Sequence, residues 1–193
     1  MATGKSTNKQ QQLKINQLLS DLNSGNEVKV ASAIKSFHVH GDASVIEPLI
    51  VVWNQGLSDE NEALMLELFV GLKDTSTVEP LMEAYRNPAF AGIKRKLTSA
   101  FWNSKLDFSA YLSDFVLFAI EGDFMDAFEA ITLIEQFETI ISESAIMESQ
   151  LLLKEYFGNN EHRDDQKDTL LSDLTIILKD FDEATDSEDL FLE

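Results

Sequence analysis

An all-α fold, an α-solenoid of about five antiparallel helix pairs, is predicted by three features of this 193-residue chain. The first is a phrase spelled twice. Asp42-Ala43-Ser44-Val45-Ile46-Glu47-Pro48-Leu49 returns as Asp74-Thr75-Ser76-Thr77-Val78-Glu79-Pro80-Leu81, every position 32 residues on. Ala31, Ile34 and Phe37 likewise return as Ala63, Leu66 and Phe69, and Trp53 as Tyr85. A period of roughly 20–50 residues marks one supersecondary unit copied in tandem, and a unit that cannot bury its apolar face alone stacks on its neighbour. The second feature is apolar spacing of helical type almost to the end of the chain. The third is the lack of hairpin turn signals and of alternating β-branched runs.

Residues 1–8 are small and polar and read as a disordered tail. Leu13, Leu18, Leu19 and Leu22 mark a first helix, closed by Asn23-Ser24-Gly25-Asn26. Val28, Ala31, Ile34 and Phe37 mark a second, ended by Gly41. A third buries Ile46, Leu49, Ile50 and Trp53. Gly56 and Ser58-Asp59 break before a fourth over about 59–72. A fifth runs from Ser76 to Arg86, and Asn87-Pro88 restarts the chain into a sixth that reaches about Asn103. A seventh covers roughly 108–121, and Gly122-Asp123 separates it from an eighth carrying Ile131, Ile134 and Phe137. Ser142 starts a ninth, which ends near Gly158-Asn159-Asn160. A tenth carries Leu170, Leu171, Leu174, Ile177, Leu178 and Phe181. The array is thus expected over 9–181, with an acidic tail over 182–193.

The repeated phrase has two capping readings. Ser44-Val45-Ile46-Glu47 and Ser76-Thr77-Val78-Glu79 fit the capping box, with Pro48 and Pro80 then in the first helical turn. If Asp42 and Asp74 are the caps instead, each proline sits deeper and bends its helix.

Composition narrows the function classes. No apolar run reaches the roughly 20 residues that span a bilayer. The N-terminus has no apolar core of signal-peptide type, and the cysteine count is zero, so a cytoplasmic protein without disulfides or thiolate chemistry is expected. The net charge of −19 is unevenly placed: residues 1–105 hold 11 Lys/Arg and 11 Asp/Glu, and residues 106–193 hold 4 and 23. A nucleic-acid surface needs clustered cations, so the C-terminal half repels nucleic acid. The asymmetry concerns partners and solubility, not fold.

The run Gly41-Asp42-Ala43-Ser44-Val45-Ile46-Glu47-Pro48-Leu49-Ile50, preceded by Val28-x-x-Ala31-x-x-Ile34-x-x-Phe37, resembles the short HEAT-like repeats of the armadillo-type α-solenoid superfamily, in the branch with bilin-lyase-type repeats. The likeness is good over 26–86, fades through 87–121, where a residue is inserted before Asp107, and is faint beyond. It implies helix pairs in a right-handed superhelix, with the second helix of each pair lining the concave side. It also implies two alternatives to a plain binding protein: a bilin-lyase-type enzyme or assembly factor, and a solenoid-type DNA glycosylase. Fold alone does not choose among them.

The Phe37/Phe69/Phe137 register lays the second helices on one wheel. Lys29, Ser32, Lys35 and Ser36 form the polar stripe of the first pair, and Glu129, Thr132, Glu135, Gln136 and Thr139 that of the fourth. In the second pair Leu64 and Leu68 stand on the stripe beside Asn61 and Glu67. They form an apolar contact spot unless they pack on a neighbouring helix. Lys94-Arg95-Lys96, with Phe101 and Trp102 beyond, is either a ridge for an acidic or phosphate ligand or a solvated face. His38 and His40 precede Gly41, but no third metal ligand is identifiable, and histidine suits a helix C-terminus. No catalytic residue, cofactor site or metal site is assigned. The preferred reading is a non-enzymatic scaffold or adaptor that binds a polypeptide on its concave face through Lys29, Lys35, Leu64, Leu68, Lys94, Arg95, Lys96, Glu129 and Glu135. The partner carries a basic patch for the acidic half. The tail residues Leu190, Phe191 and Leu192 form either a solubilising end or a docking motif.

Overall fold

The structure, a computed structural model, describes residues 3–158 and 164–189. Among the described residues there are ten α-helices and no strand. They are α1 (Thr3–Leu22), α2 (Glu27–His40), α3 (Ile46–Gln55), α4 (Asp59–Val70), α5 (Val78–Arg86), α6 (Lys94–Asn103), α7 (Leu112–Glu121), α8 (Phe124–Ile134), α9 (Glu143–Gly158) and α10 (Asp165–Asp189). Helix therefore begins at Thr3, inside the expected tail, and α10 continues to Asp189, inside the expected acidic tail. Leu190, Phe191 and Leu192 lie outside the described residues. No helix among the described residues is long and apolar enough to cross a membrane.

The repeated phrase folds the same way twice. Asp42 accepts the Ser44 N–H at 3.0 Å, and Asp74 accepts the Ser76 N–H at 2.9 Å. Each aspartate caps a single 3-10 turn, Ala43–Val45 and Thr75–Thr77, that leads into α3 and α5. The two capping readings are both modified: aspartate caps, yet Pro48 and Pro80 remain the third residues of their α-helices, because the 3-10 turn intervenes. At that place a missing N–H costs nothing, since the first turn has no intrahelical acceptor for it. A related turn leads into α7, but Phe108 stands at its N-cap position and the helix starts one residue later relative to the aspartate. Asp107 accepts the Ser109 N–H at 2.9 Å ahead of the turn Ser109–Tyr111, 33 residues after Asp74. Asn87 plays a related part before α6, accepting the Ala89 N–H at 3.0 Å.

The chain divides into two compact units, Met1–Leu106 and Asp107–Glu193. In the first, alternate helices stack: α2 lies on α1 and α4, α4 on α6, and α3 on α5. In the second, α7 packs on α8 and α9, and α10 packs on both α8 and α9. The first unit's core joins Ile34, Phe37, Ile46, Ile50, Trp53, Met65, Phe69, Tyr85 and Leu97, all buried. Trp53 meets Phe69 with ring centroids 5.1 Å apart, and Tyr85 meets Phe101 at 5.8 Å. Trp53 and Tyr85 occupy matched places but differ at the polar end. The Tyr85 hydroxyl hydrogen-bonds the Thr98 hydroxyl at 3.0 Å, whereas the buried Trp53 indole nitrogen has no hydrogen-bond partner among the described residues.

Helix faces are rolled relative to the sequence expectation. In α2 the buried set is Val30, Ala33, Ile34 and Phe37, while Val28 is 79% exposed. In α4 it is Asn61, Met65, Leu68 and Phe69, and Leu66 faces out. The cause is position: α4 lies between α2 and α6 and buries two flanks, which one wheel register cannot describe. The register also fails at Phe137, which follows the end of α8 and is only half-buried. Phe37→Ala and Phe69→Ala should each destabilise the chain by about 3–5 kcal/mol, and Phe137→Ala by clearly less. Chemical denaturation of the three variants checks this, and an equal loss at Phe137 would restore the single register.

Candidate partner-binding surfaces

The nine residues on the expected stripe are distributed between the units. Lys29 and Lys35 stand exposed on α2. Lys35 lines a shallow groove of about 690 Å³ along α2 and the start of α4, with Val28, Ser32 and Val39 of α2 and Glu60 and Asn61 of α4. Val28 and Val39 are 79% and 78% exposed, so the groove has an apolar contact near each end and a cation between them. Asn61 is built into its wall: the side chain is buried, and its Nδ2 donates to the Glu27 carbonyl at 3.2 Å. That bond ties the start of α4 to the start of α2.

The expected apolar spot on α4 is not formed. Leu68 is buried, 3% exposed, and Leu64 is half-buried, because α4 packs on both of its flanks. The basic cluster is partly consumed by its own unit. Lys94 Nζ sits 5.2 Å from the centroid of the Tyr85 ring, and Lys96 Nζ lies 2.7 Å from Glu62 Oε1. Arg95 is exposed. A cation over an aromatic face and a cation paired with a carboxylate are both less available to a phosphate. This arrangement is not a three-cation ridge.

A second cavity in the first unit, about 440 Å³, lies between the two copies of the repeated turn. Phe37, Ile46, Leu49, Leu68 and Phe69 form its apolar part, and His38, Asp42, Lys73, Asp74 and Thr77 its polar part. The two aspartates are already engaged as caps. The Ser76 N–H and hydroxyl hold the Asp74 carboxyl below its ordinary value of 3.8, against a small opposing effect of burial. Among the described residues no group of three or more His, Asp or Glu side chains converges to hold a metal ion.

In the second unit, Glu129 is half-buried on α8 and Glu135 is exposed at the helix C-cap. The same helix presents two large apolar side chains that the wheel omitted, Met125 at 43% and Phe128 at 46% exposure. Their signal in the sequence is partial: Met125 stands off the Ile131/Ile134 face, whereas Phe124 and Phe128 precede Ile131 by seven and three residues and read as core. Among the described residues of the unit, Lys167 is a buried cation, 8% exposed. Its Nζ donates to the carbonyls of Ile120 and Gly122, both at 2.6 Å, and lies 5.3 Å from the Tyr156 ring centroid. It caps the C-terminal end of α7, where a cation meets free carbonyls and the negative end of the helix dipole. Burial lowers its pKa below the ordinary 10.5, partly opposed by Asp168, Asp164, Asp126 and Asp123.

Asp107 joins a small polar network that holds the segment after α8. It accepts the Thr139 hydroxyl at 2.9 Å as well as the Ser109 N–H, and the Ser109 and Thr139 hydroxyls are 2.6 Å apart. Thr139, expected on the binding stripe, is thus engaged within its own unit. Burial pushes the Asp107 carboxyl up, but the Ser109 and Thr139 hydrogen bonds outweigh it and leave it below 3.8. No family model, curated protein or solved structure matches the chain.

A carboxyl with a depressed folded pKa contributes stability that is present above the unfolded pKa and lost as pH falls through the folded value. Asp107→Asn should therefore cost about 1 kcal/mol at neutral pH, the worth of a hydrogen bond to a charged acceptor near the surface. The gap from the unaltered protein should narrow as pH drops below 3.8. Thermal unfolding across acid pH checks it, and a gap that stays constant would show that the network does not depend on the charge.

Proposed function

We propose that this chain is a small helical-repeat binding protein of the HEAT-like α-solenoid kind, a non-enzymatic scaffold or adaptor for a polypeptide partner. The observation that carries the reading is the like-on-like stacking of α2, α4 and α6 behind matched aspartate-capped turns, with a groove left open along α2 and α4. Repeats of this construction present a layered face formed by equivalent helices, and such faces suit extended or helical peptides. The contact residues of the first unit in this reading are Val28, Ser32, Lys35 and Val39, in place of Leu64 and Leu68. An apolar contact at each end sets the partner's register, and Lys35 selects an acidic residue between them.

The lyase or assembly-factor alternative draws on a different observation, the cavity of about 440 Å³ between the repeated turns. Its size falls in the range of small-ligand sites, roughly 300–1,000 Å³. A visible absorption band retained on the protein after co-expression with a biliprotein would favour that alternative. Nucleic-acid processing draws on Lys94-Arg95-Lys96 alone, where Lys94 lies over Tyr85 and Lys96 pairs with Glu62.

Affinity purification from the native cell, with a photo-reactive residue at Ser32 in one sample and at Glu47 in another, tests the proposal. Ser32 and Glu47 are both exposed, on α2 and α3. The expected result is a polypeptide crosslinked from Ser32 and not from Glu47, and lost in Val28→Asp with Val39→Asp. Crosslinks from Glu47 alone, or capture unaffected by the double variant, would remove the α2–α4 groove as the binding surface.

A further inference from the structure

We propose that the outer face of α8 in the acidic unit docks a basic amphipathic helix through Met125 and Phe128. The inference deepens the binding-protein reading, on which it rests, by naming the chemistry of one partner segment. Asp123 fixes the start of α8, accepting the N–H groups of Met125 at 2.9 Å and Asp126 at 3.0 Å, while Asp126 accepts the Asp123 N–H in return at 3.0 Å. With the first turn locked, Met125 and Phe128 fall three residues apart on one face. The opposite face, Ala127, Ala130, Ile131 and Ile134, is buried in the unit. Met125 and Phe128 are left 43% and 46% exposed. An unbranched thioether beside an aromatic ring is an adaptable apolar contact that accepts varied partner side chains.

Charge decides what covers this face. From Asp107 onward the chain holds 4 Lys/Arg against 23 Asp/Glu. Glu129 and Glu135 lie on or at the end of α8 itself. On α10, which packs against α8, Ile176 is exposed with Asp173 and Asp180, and with the single cation Lys179 beside them. A second copy of this chain brings the same negative field and is repelled, as is an anionic bilayer or an acidic peptide. A segment with apolar side chains at helical spacing and Lys or Arg around them satisfies both the apolar contact and the field. Such a helix binds by inserting its i, i+3/i+4 side chains, and the charges speed its arrival.

The test uses the full chain and two labelled peptides of about 20 residues, roughly 30 Å if helical. One carries Leu at helical spacing among Lys and Arg; the other is a scramble of identical composition. Fluorescence anisotropy should show the amphipathic peptide binding at least about tenfold more tightly than the scramble. Met125→Ser with Phe128→Ser should weaken it by about tenfold or more, with unchanged far-UV circular dichroism. Met147→Ser with Leu151→Ser, at another exposed apolar pair on α9, should leave it within about twofold. Equal binding of the scramble would reduce the effect to bulk charge and overturn the proposal. So would normal binding by the α8 variant, or an equal loss in the α9 variant. Should the α8 variant lose helix, hydrogen exchange on the unaltered chain decides: slowing at 124–134 on adding peptide supports the proposal, and slowing only elsewhere overturns it. A native partner crosslinked at Ser32, alongside no peptide binding at α8, would leave the binding-protein reading standing and remove this inference alone.

Discussion

Helices of 9, 10 and 12 residues, such as α5, α3 and α4, are too short to persist alone in water, so burial against the next helix is the constraint on which the rest depends. The contact of Trp53 with Phe69 expresses it, one ring from α3 and the other from α4. The same relation recurs between Tyr85 of α5 and Phe101 of α6. For one pair to bury the next, each helix must enter at a repeatable angle. The aspartate-capped 3-10 turns ahead of α3 and α5 provide that repeatable entry. They satisfy backbone donors locally and leave the following helix free to spend its apolar side chains on its neighbours.

Charge divides along the same boundary as the fold. The first compact unit ends at Leu106, and through that residue acids and bases are equal in number; the second holds the whole −19. In the neutral unit two cations are drawn into structure, Lys94 over Tyr85 and Lys96 against Glu62. In the acidic unit Lys167, a buried cation, is committed to helix-end carbonyls. Exposed carboxylates such as Glu135, Asp173 and Asp180 stand in the same unit as the exposed side chains Met125, Phe128 and Ile176. A surface of that kind favours basic partners and disfavours association with itself.

The sequence made the helices and the repeat legible because both follow from local patterns: apolar spacing, turn residues and a copied phrase. It made legible that Phe37 and Phe69 are equivalent core positions, and the charge boundary near residue 106. What it left obscure depends on long-range packing. Leu68 reads as a surface position on a two-helix wheel, but α4 has helices on two flanks and buries it. Lys94 and Lys96 read as a free cluster because their partners, Tyr85 and Glu62, are distant in sequence. The related turn at Asp107 is obscured by the inserted residue, although Asp107-x-Ser109 repeats Asp42-x-Ser44 and Asp74-x-Ser76. At the surface, Val28 reads as a core position and Met125 gives no distinct signal, because single apolar residues at helix ends fit more than one wheel.

The most direct measurement is a hydrogen-exchange footprint of the full chain with and without the polypeptide partner recovered from the native cell. A partner held in the α2–α4 groove slows exchange in α2 and α4, while α3 and α5 exchange as in the free protein. Slowing confined to α3 or α5 would contradict the account, because it would place recognition away from that groove.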